Sequence, residues 1–301
     1  RGAPSLSRMN NEIPYAIPPR TAHVGGPQIK RVLPWSQKRT VGPFTFLDHF
    51  PSTPFAAGDG FNVRSHPHIG LSTLSYLLEG AVLHHDSLGY KQVLRPGDVN
   101  WMTAGRGIAH SEKTPEELRD RAYRLHLLQF WVALPVAHEN VEPSFTHHPA
   151  NSIPEMKIPG AHLRVVAGEF QGTRSPVKAY SPLHFVDVKI EAGGSAPAQV
   201  PGHESAFYVL DGEVSFESPR GTITATAGEC YFLGETGSTT LKAQAPAHVV
   251  LFGGEAFPEE RFIEWNFVAS SRALIDAAKA AWADGSFPQV PGETDIIPLP
   301  R

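Results

Sequence analysis

The run LSTLSYLLEG, residues 71–80, decides the fold, because it is a β-type stretch ending in Glu-Gly and its close relative recurs in the second half of the chain. Tyr76 to Gly80 reads YLLEG and is followed after a turn by Pro96, Gly97 and Asp98; Tyr208 to Gly212 reads YVLDG and is followed by Ala227, Gly228 and Glu229. The two landmark pairs have nearly the same internal spacing, which reads as an internal repeat of one strand-turn-strand unit. Around them lie further short apolar runs, FTFLDHF, YKQVLRPGDV and LHLLQFWVALP before the middle of the chain, LHFVDVKIEAG, TITATAGECYFLG and AHVVLFGG after it. Each is bounded by Gly, Pro, Asp or Ser, the pattern of a sandwich or barrel. The 27 glycines and 28 prolines, scattered without period, suit many short strands and not a mostly helical chain.

With 301 residues, 41% of them hydrophobic, the chain has material for two ordinary cores. The expected division is 1–145 and 146–301, separated by a linker near residues 135–160, where ALPVAHENVEPSFTHHPANSIPEMKIPG carries five prolines and little periodicity. Near the C-terminus, SSRALIDAAKAAWADG predicts one amphipathic helix over about 270–284. Ser270 or Ser271 serves as its N-cap, Leu274, Ala278 and Trp282 form its apolar stripe, and Gly285 stops it. The stripe reads as packing on a barrel, so the helix is expected within the second domain. TPEE, Thr114 to Glu117, has capping-box spacing and predicts a short helical turn.

Charge is nearly balanced, 26 basic against 30 acidic residues, so composition offers no footprint for direct nucleic-acid binding. The single cysteine, Cys230, excludes an intramolecular disulfide framework and any Cys-rich zinc module. No apolar run approaches a membrane span, and the N-terminal RGAPSLSRMNNEIPYAIPP lacks the apolar core of a signal peptide. The expectation is a cytoplasmic protein.

Chemistry enters with SHPHIG, residues 65–70. On a strand, residues i and i+2 share a face about 6.5–7 Å apart, so His66 and His68 stand side by side while Pro67 turns away. GRGIAHSE, residues 105–112, repeats the arrangement with His110 and Glu112, after a tight turn at Gly105-Arg106-Gly107. If both faces look into one barrel, three imidazoles and one carboxylate converge where a metal can bridge them at about 2.0–2.2 Å. LHHDSLG, with His84, His85 and Asp86, reads as a turn, and His147 and His148 fall in the linker. Cys230, in an apolar strand, reads as a small buried hydrophobe.

HPHIGLSTLSYLLEGAVLHHDSLG, RPGDVNWMTAGRGIAHSE and LQFWVALP resemble the pirin family of the cupin superfamily, a likeness that continues through FYVLDGEVSFE and FVASSRALIDAAKAAWADGSFP and covers nearly the whole chain. The resemblance implies an all-β protein of two cupin (jelly-roll β-barrel) domains with a short C-terminal helix. It implies one metal site, in the N-terminal barrel, with His66, His68, His110 and Glu112 as ligands. The glutamate that generic cupins place four residues after their second histidine falls at Ser72, so the carboxylate comes from Glu112, as in pirins. Counting through the repeat, the corresponding positions of the second barrel are Ala198, Val200, Leu241 and Ala243, none of which can ligate, so that domain is expected to be structural or a partner-binding surface.

Nitrogen and oxygen donors without thiolate suit iron(II), manganese, nickel, copper or zinc, and the likeness to non-haem iron sites favours Fe(II). Three imidazoles and one carboxylate leave two positions of an octahedron open, which points to catalysis. The expected function is that of an iron-dependent dioxygenase opening a flavonol-like enol such as quercetin with dioxygen, Glu112 serving as ligand and as base for the enol proton. The alternative is a metal- and redox-sensing regulatory protein acting through a protein partner; neither reading calls for nucleic acid or membrane.

Overall fold

A computed structural model describes residues 13–300; most of the N-terminal run read above for a leader lies outside the described residues. The described residues form two compact units, one of residues 13–20, 32–44 and 153–256, the other of 21–31, 45–152 and 257–300.

In the second of these, two sheets share one core. The larger has seven strands in the order Ser144–His148, Val99–Thr103, Leu71–Glu79, Tyr123–Ala133, Phe44–Phe55, Gln28–Leu33, Arg20–His23. The smaller has four: Asn62–His68, Ile108–Lys113, Val82–Asp86, Lys91–Leu94. Ile29, Phe50, Leu77 and Leu127 from the first meet Val63, Val82 and Leu94 from the second, all buried. The non-consecutive strand order is that of a jelly roll. The other unit repeats the plan, with an eight-stranded sheet and the four strands Ser195–Pro197, Thr240–Lys242, Glu213–Ser218 and Gly221–Thr226 around a core that includes Phe207, Phe216, Val186 and Leu251.

The repeat read from sequence has a structural counterpart bond for bond. Gly97 N–H donates to the Leu77 carbonyl at 2.7 Å, and Gly228 N–H to that of Val209 at 2.8 Å. Asp98 Oδ2 accepts from Arg95 N–H at 2.9 Å, as Glu229 Oε2 accepts from Thr226 N–H at 2.7 Å. The glycines that end the two motifs both have positive φ, 88° at Gly80 and 76° at Gly212. Both also lie against backbone: a Cβ would come to 2.3 Å from the Arg124 carbonyl oxygen at Gly80 and 2.6 Å from that of Pro246 at Gly212, so only glycine fits. In the second barrel Ala198, Leu241 and Ala243 sit in the apolar core, with Val200 packed against it. Cys230 is buried too, and burial pushes its thiol well up, as befits an inert hydrophobe.

Several expectations are corrected. The C-terminal helix spans Arg272–Asp284, with Ser271 Oγ accepting from Leu274 N–H and Gly285 in the left-handed conformation, but it does not belong with the second barrel. Its buried residues are Ile275, Ala278 and Trp282, which cluster with Ile69 and Ala109 of the first barrel and with Phe267 and Phe287, so the units do not follow a single cut at residue 145. Thr114 caps nothing: the turn Glu116–Arg119 has Pro115 at its cap, and Thr114 Oγ1 is occupied by the Tyr123 hydroxyl at 2.6 Å and Phe61 N–H at 2.8 Å. The stretch read as a linker contains two paired strands. Ser144–His148 lies against Val99–Thr103 and Glu155–Ile158 against Ala161–Phe170, each joined to its neighbours by a single-turn 3-10 helix or a short turn.

Candidate metal centre

The strands Asn62–His68 and Ile108–Lys113 pair antiparallel, His110 opposite His66 and Ile108 opposite His68. Alternation turns His66 and His68 to the same face, and the neighbouring strand brings His110 up beside them. One ring nitrogen from each of the three imidazoles lies within 4.8 Å of the others, and all three residues are buried. Ring centroids are 4.9 Å apart for His66 and His68, 4.5 Å for His66 and His110, and 5.1 Å for His68 and His110.

Glu112, the fourth expected member, is not part of that close group. A register shift between His110 and Glu112 puts Glu112 opposite Val63, and its carboxylate lines the same cavity as the three rings. Ser75 Oγ lies 3.4 Å from Glu112 Oε1, but its single hydroxyl hydrogen has a closer acceptor in Gln129 Oε1 at 2.7 Å. Buried and weakly held, the Glu112 carboxyl is pushed up to about 7 by desolvation, against a small opposing effect of Ser75.

The donor set fits a cation. His66 Nδ1 is 2.8 Å from the Arg64 carbonyl and His68 Nδ1 is 2.9 Å from the Asn266 carbonyl. A carbonyl only accepts, so both Nδ1 atoms carry the hydrogen and both Nε2 atoms present lone pairs. Burial holds the rings neutral: His66 is lowered to about 4, while His68 and His110 go well below the ordinary value through desolvation first and neighbouring imidazoles second. His68 Nε2 and His110 Nε2 stand only 3.2 Å apart. Neutral imidazoles crowded this closely beside a buried carboxylate form an arrangement that a divalent ion stabilises, with the outer nitrogens already anchored as metal-binding histidines require.

Above the rings the cavity has a volume of about 500 Å³. Part of its wall is aromatic: Trp131 stacks on Phe46 at 4.0 Å with an interplanar angle of 13° and makes a T-shaped contact with His68 at 5.1 Å, while Asp48, Arg64 and Gln129 give the lining a polar side. The Arg31 guanidinium covers the Phe46 face at 4.7 Å and pairs with Asp48 through two 2.8 Å hydrogen bonds. Trp265, at the turn between the strands Phe262–Glu264 and Phe267–Ala269, completes the lining with a φ of 52°, a conformation non-glycine residues rarely adopt.

The sequence reading missed three contributors. Asn266 acts through its main-chain carbonyl, which any residue type supplies. Trp265 reaches the cavity from far along the chain. LHHDSLG is no turn up to Asp86: Val82–Asp86 is a buried strand paired with Ile108–Lys113, and His84 Nδ1 comes within 3.4 Å of His110 Nδ1. Burial lowers His84 first, with Asp86 opposing. The signal was three consecutive polar residues beside a predicted ligand strand. His147, in contrast, bonds Asn100 Oδ1 at 2.8 Å, and neither it nor His148 joins the cluster.

Comparison with known proteins matches this frame. The family model described as Pirin fits residues 26–132 and the Pirin C-terminal cupin domain fits residues 185–288. A pirin-like protein of Caulobacter vibrioides is 44% identical over 290 residues, 94% of this chain and 97% of that protein. The chain belongs to the pirin family. Pirin-like protein 2 of Arabidopsis thaliana, 33% identical, aligns over 83% of this chain and 77% of its own. A crystal structure of quercetin 2,3-dioxygenase from Acinetobacter baumannii superposes with a TM-score of 0.88 at 34% identity, over 97% of this chain and 96% of that one. The pirin architecture, two cupin domains with a short helix near the C-terminus, thus holds over most of the chain. No helix among the described residues is long and apolar enough to cross a membrane.

Proposed function

We propose that this protein is a metal-dependent dioxygenase of pirin type, which opens a flavonol-like enol with dioxygen. His66, His68 and His110 hold one divalent metal, iron(II) by preference among manganese, nickel, copper and zinc, and Glu112 joins them. The observation that carries the reading is the convergence of three buried imidazoles in a cavity that aromatic and polar side chains line together. The likeness to the Acinetobacter baumannii quercetin 2,3-dioxygenase supports the substrate class.

A divalent metal bound there supplies Lewis acidity that favours the enolate of a 3-hydroxy-4-oxo compound. The chain's own residues do the rest. The stacked Phe46 and Trp131 rings and Trp265 give a planar polyphenol apolar faces to pack on, and a cavity of about 500 Å³ lies within the range that encloses drug-sized ligands. Glu112, titrating near neutrality, is suited to accept the enol hydroxyl proton at its carboxylate as substrate docks. Gln129, tied to Ser75, presents its amide to the same space and orients polar edges of the substrate. Burial around the imidazoles excludes bulk water from the reacting face.

Aerobic incubation of the metal-loaded protein with quercetin tests this directly. The flavonol absorption band should bleach with release of carbon monoxide. No turnover with iron, copper, nickel or manganese removes the flavonol reading.

A further inference from the structure

His66 and His68 are oriented by backbone carbonyls, whereas among the described residues the partner behind His110 is a side chain, backed in turn by a second. The first is His84, on the strand that pairs with that of His110 and almost fully buried, its ring stacked on Phe145 at 4.3 Å and 9°. The second is Asp86, fully buried, whose Oδ1 accepts from Leu88 N–H at 2.9 Å and Tyr90 N–H at 3.1 Å. Those two bonds fix the carboxylate in its turn and leave Oδ2 for His84 Nε2 at 2.8 Å.

Proton positions follow in sequence along this line. An ionised carboxylate only accepts, so His84 Nε2 carries a hydrogen and the Nδ1 of its neutral ring does not. That bare Nδ1 lies 3.4 Å from His110 Nδ1, and of the two only His110 can donate. His110 therefore keeps its hydrogen on Nδ1 and shows a lone pair at Nε2, the atom 3.2 Å from His68 Nε2.

We propose that Asp86 and His84 are positioning residues that set the tautomer and ring orientation of His110, so that its Nε2 lone pair faces His66 and His68 where a divalent metal is held. The proposal rests on the metal-centre reading above and adds a side-chain control over one of its three histidines. Outer partners of this kind typically alter metal affinity about ten- to hundredfold when removed.

Asp86→Asn is the incisive change. The amide oxygen stays with Leu88 and Tyr90 N–H, so the NH2 group is forced towards His84 Nε2, which must then accept. The hydrogen moves to His84 Nδ1, and His110 becomes the acceptor at Nδ1 with N–H at Nε2. His84→Phe is the second variant: it keeps the stack on Phe145 but leaves His110 Nδ1–H without its acceptor. Two readouts are taken on the full-length chain, the 15N chemical shifts of the His110 ring in the metal-free protein, and nickel(II) affinity by chelator competition. The wild type should show a protonated Nδ1 and bare Nε2. Asp86→Asn should reverse this, and nickel(II) binding should weaken about ten- to hundredfold in both variants. A fold-only role would lower stability without reversing the tautomer. Unchanged affinity in both variants, or a wild-type His110 protonated at Nε2, overturns the proposal, and if Asp86→Asn does not fold, the His84→Phe affinity decides alone. A wild type that binds no nickel(II) overturns the metal-centre reading and this one with it, whereas a wild type that binds nickel(II) but does not turn over quercetin leaves the tautomer and affinity tests fully decisive.

Discussion

Replacing Glu112 with glutamine gives the metal-free protein a pH signature of predictable sign and size. The Glu112 carboxyl sits at about 7 in the folded chain against an ordinary value of 4.5. Between those two pH values the native state holds a proton on Glu112 that the unfolded chain has released, so the contribution of this group to stability falls as pH rises through the window. The full gap corresponds to roughly 3 kcal/mol, at about 1.4 kcal/mol per pH unit. Glutamine does not titrate. The stability of Glu112→Gln relative to wild type should therefore increase by roughly 3 kcal/mol between pH 4.5 and pH 7.5. Urea unfolding of both proteins, stripped of metal, at a series of pH values isolates this difference, because the neighbouring histidines titrate alike in both. With a divalent metal present the order should invert, since the ion compensates the carboxylate that is costly without it. A difference that is flat with pH refutes the account of Glu112 as a buried, weakly held carboxylate.

His68→Ala should weaken metal binding beyond the roughly hundredfold effect of losing an outer partner, while circular dichroism and the urea midpoint of the metal-free chain show a folded protein. The contribution of His66 to the stability of the metal-free protein should fall by roughly 3 kcal/mol as pH drops from 6.5 to about 4, opposite in sign to that of Glu112, since the unfolded chain takes up a proton that buried His66 refuses; unfolding curves of wild type and His66→Phe, compared pH by pH, read this one group. Trp282→Ala should cost about 3–5 kcal/mol, because its side chain is 3% exposed and its Nε1–H donates to the Ile297 carbonyl at 2.9 Å. Fluorescence of tryptophans near the metal centre should report the lower midpoint, since the helix packs on Ile69 and Ala109. Gly80→Ala should destabilise by about 2 kcal/mol or more, as alanine at a φ of 88° also meets the Arg124 carbonyl; a change below about 0.5 kcal/mol in urea unfolding contradicts the backbone argument.

Much of the fold was legible because its signals are local. The glycines at 80, 97, 212 and 228 mark turns that need positive φ, and period-two alternation carries His66 and His68 to one side. His110 was legible for the same reason, being set by its own strand. Glu112 was only half legible, since the irregularity in register between it and His110 depends on the partner strand and leaves no mark at i and i+2. The pairing of Ser144–His148 was hidden by the prolines around it, and the place of the C-terminal helix by its sequence position, although its stripe was visible. Asn266 and Trp265 reach the cavity through tertiary contact alone. His84 and Asp86 were in plain view as residue types, but the loop chemistry of Asp-Ser-Leu-Gly masked the strand that runs into it.

The most direct test is the metal content of the reconstituted full-length chain, measured beside its His66→Ala, His68→Ala and His110→Ala variants. The account predicts one equivalent of metal per wild-type chain and essentially none in each variant; a wild type without metal, or variants that retain a full equivalent, would contradict it.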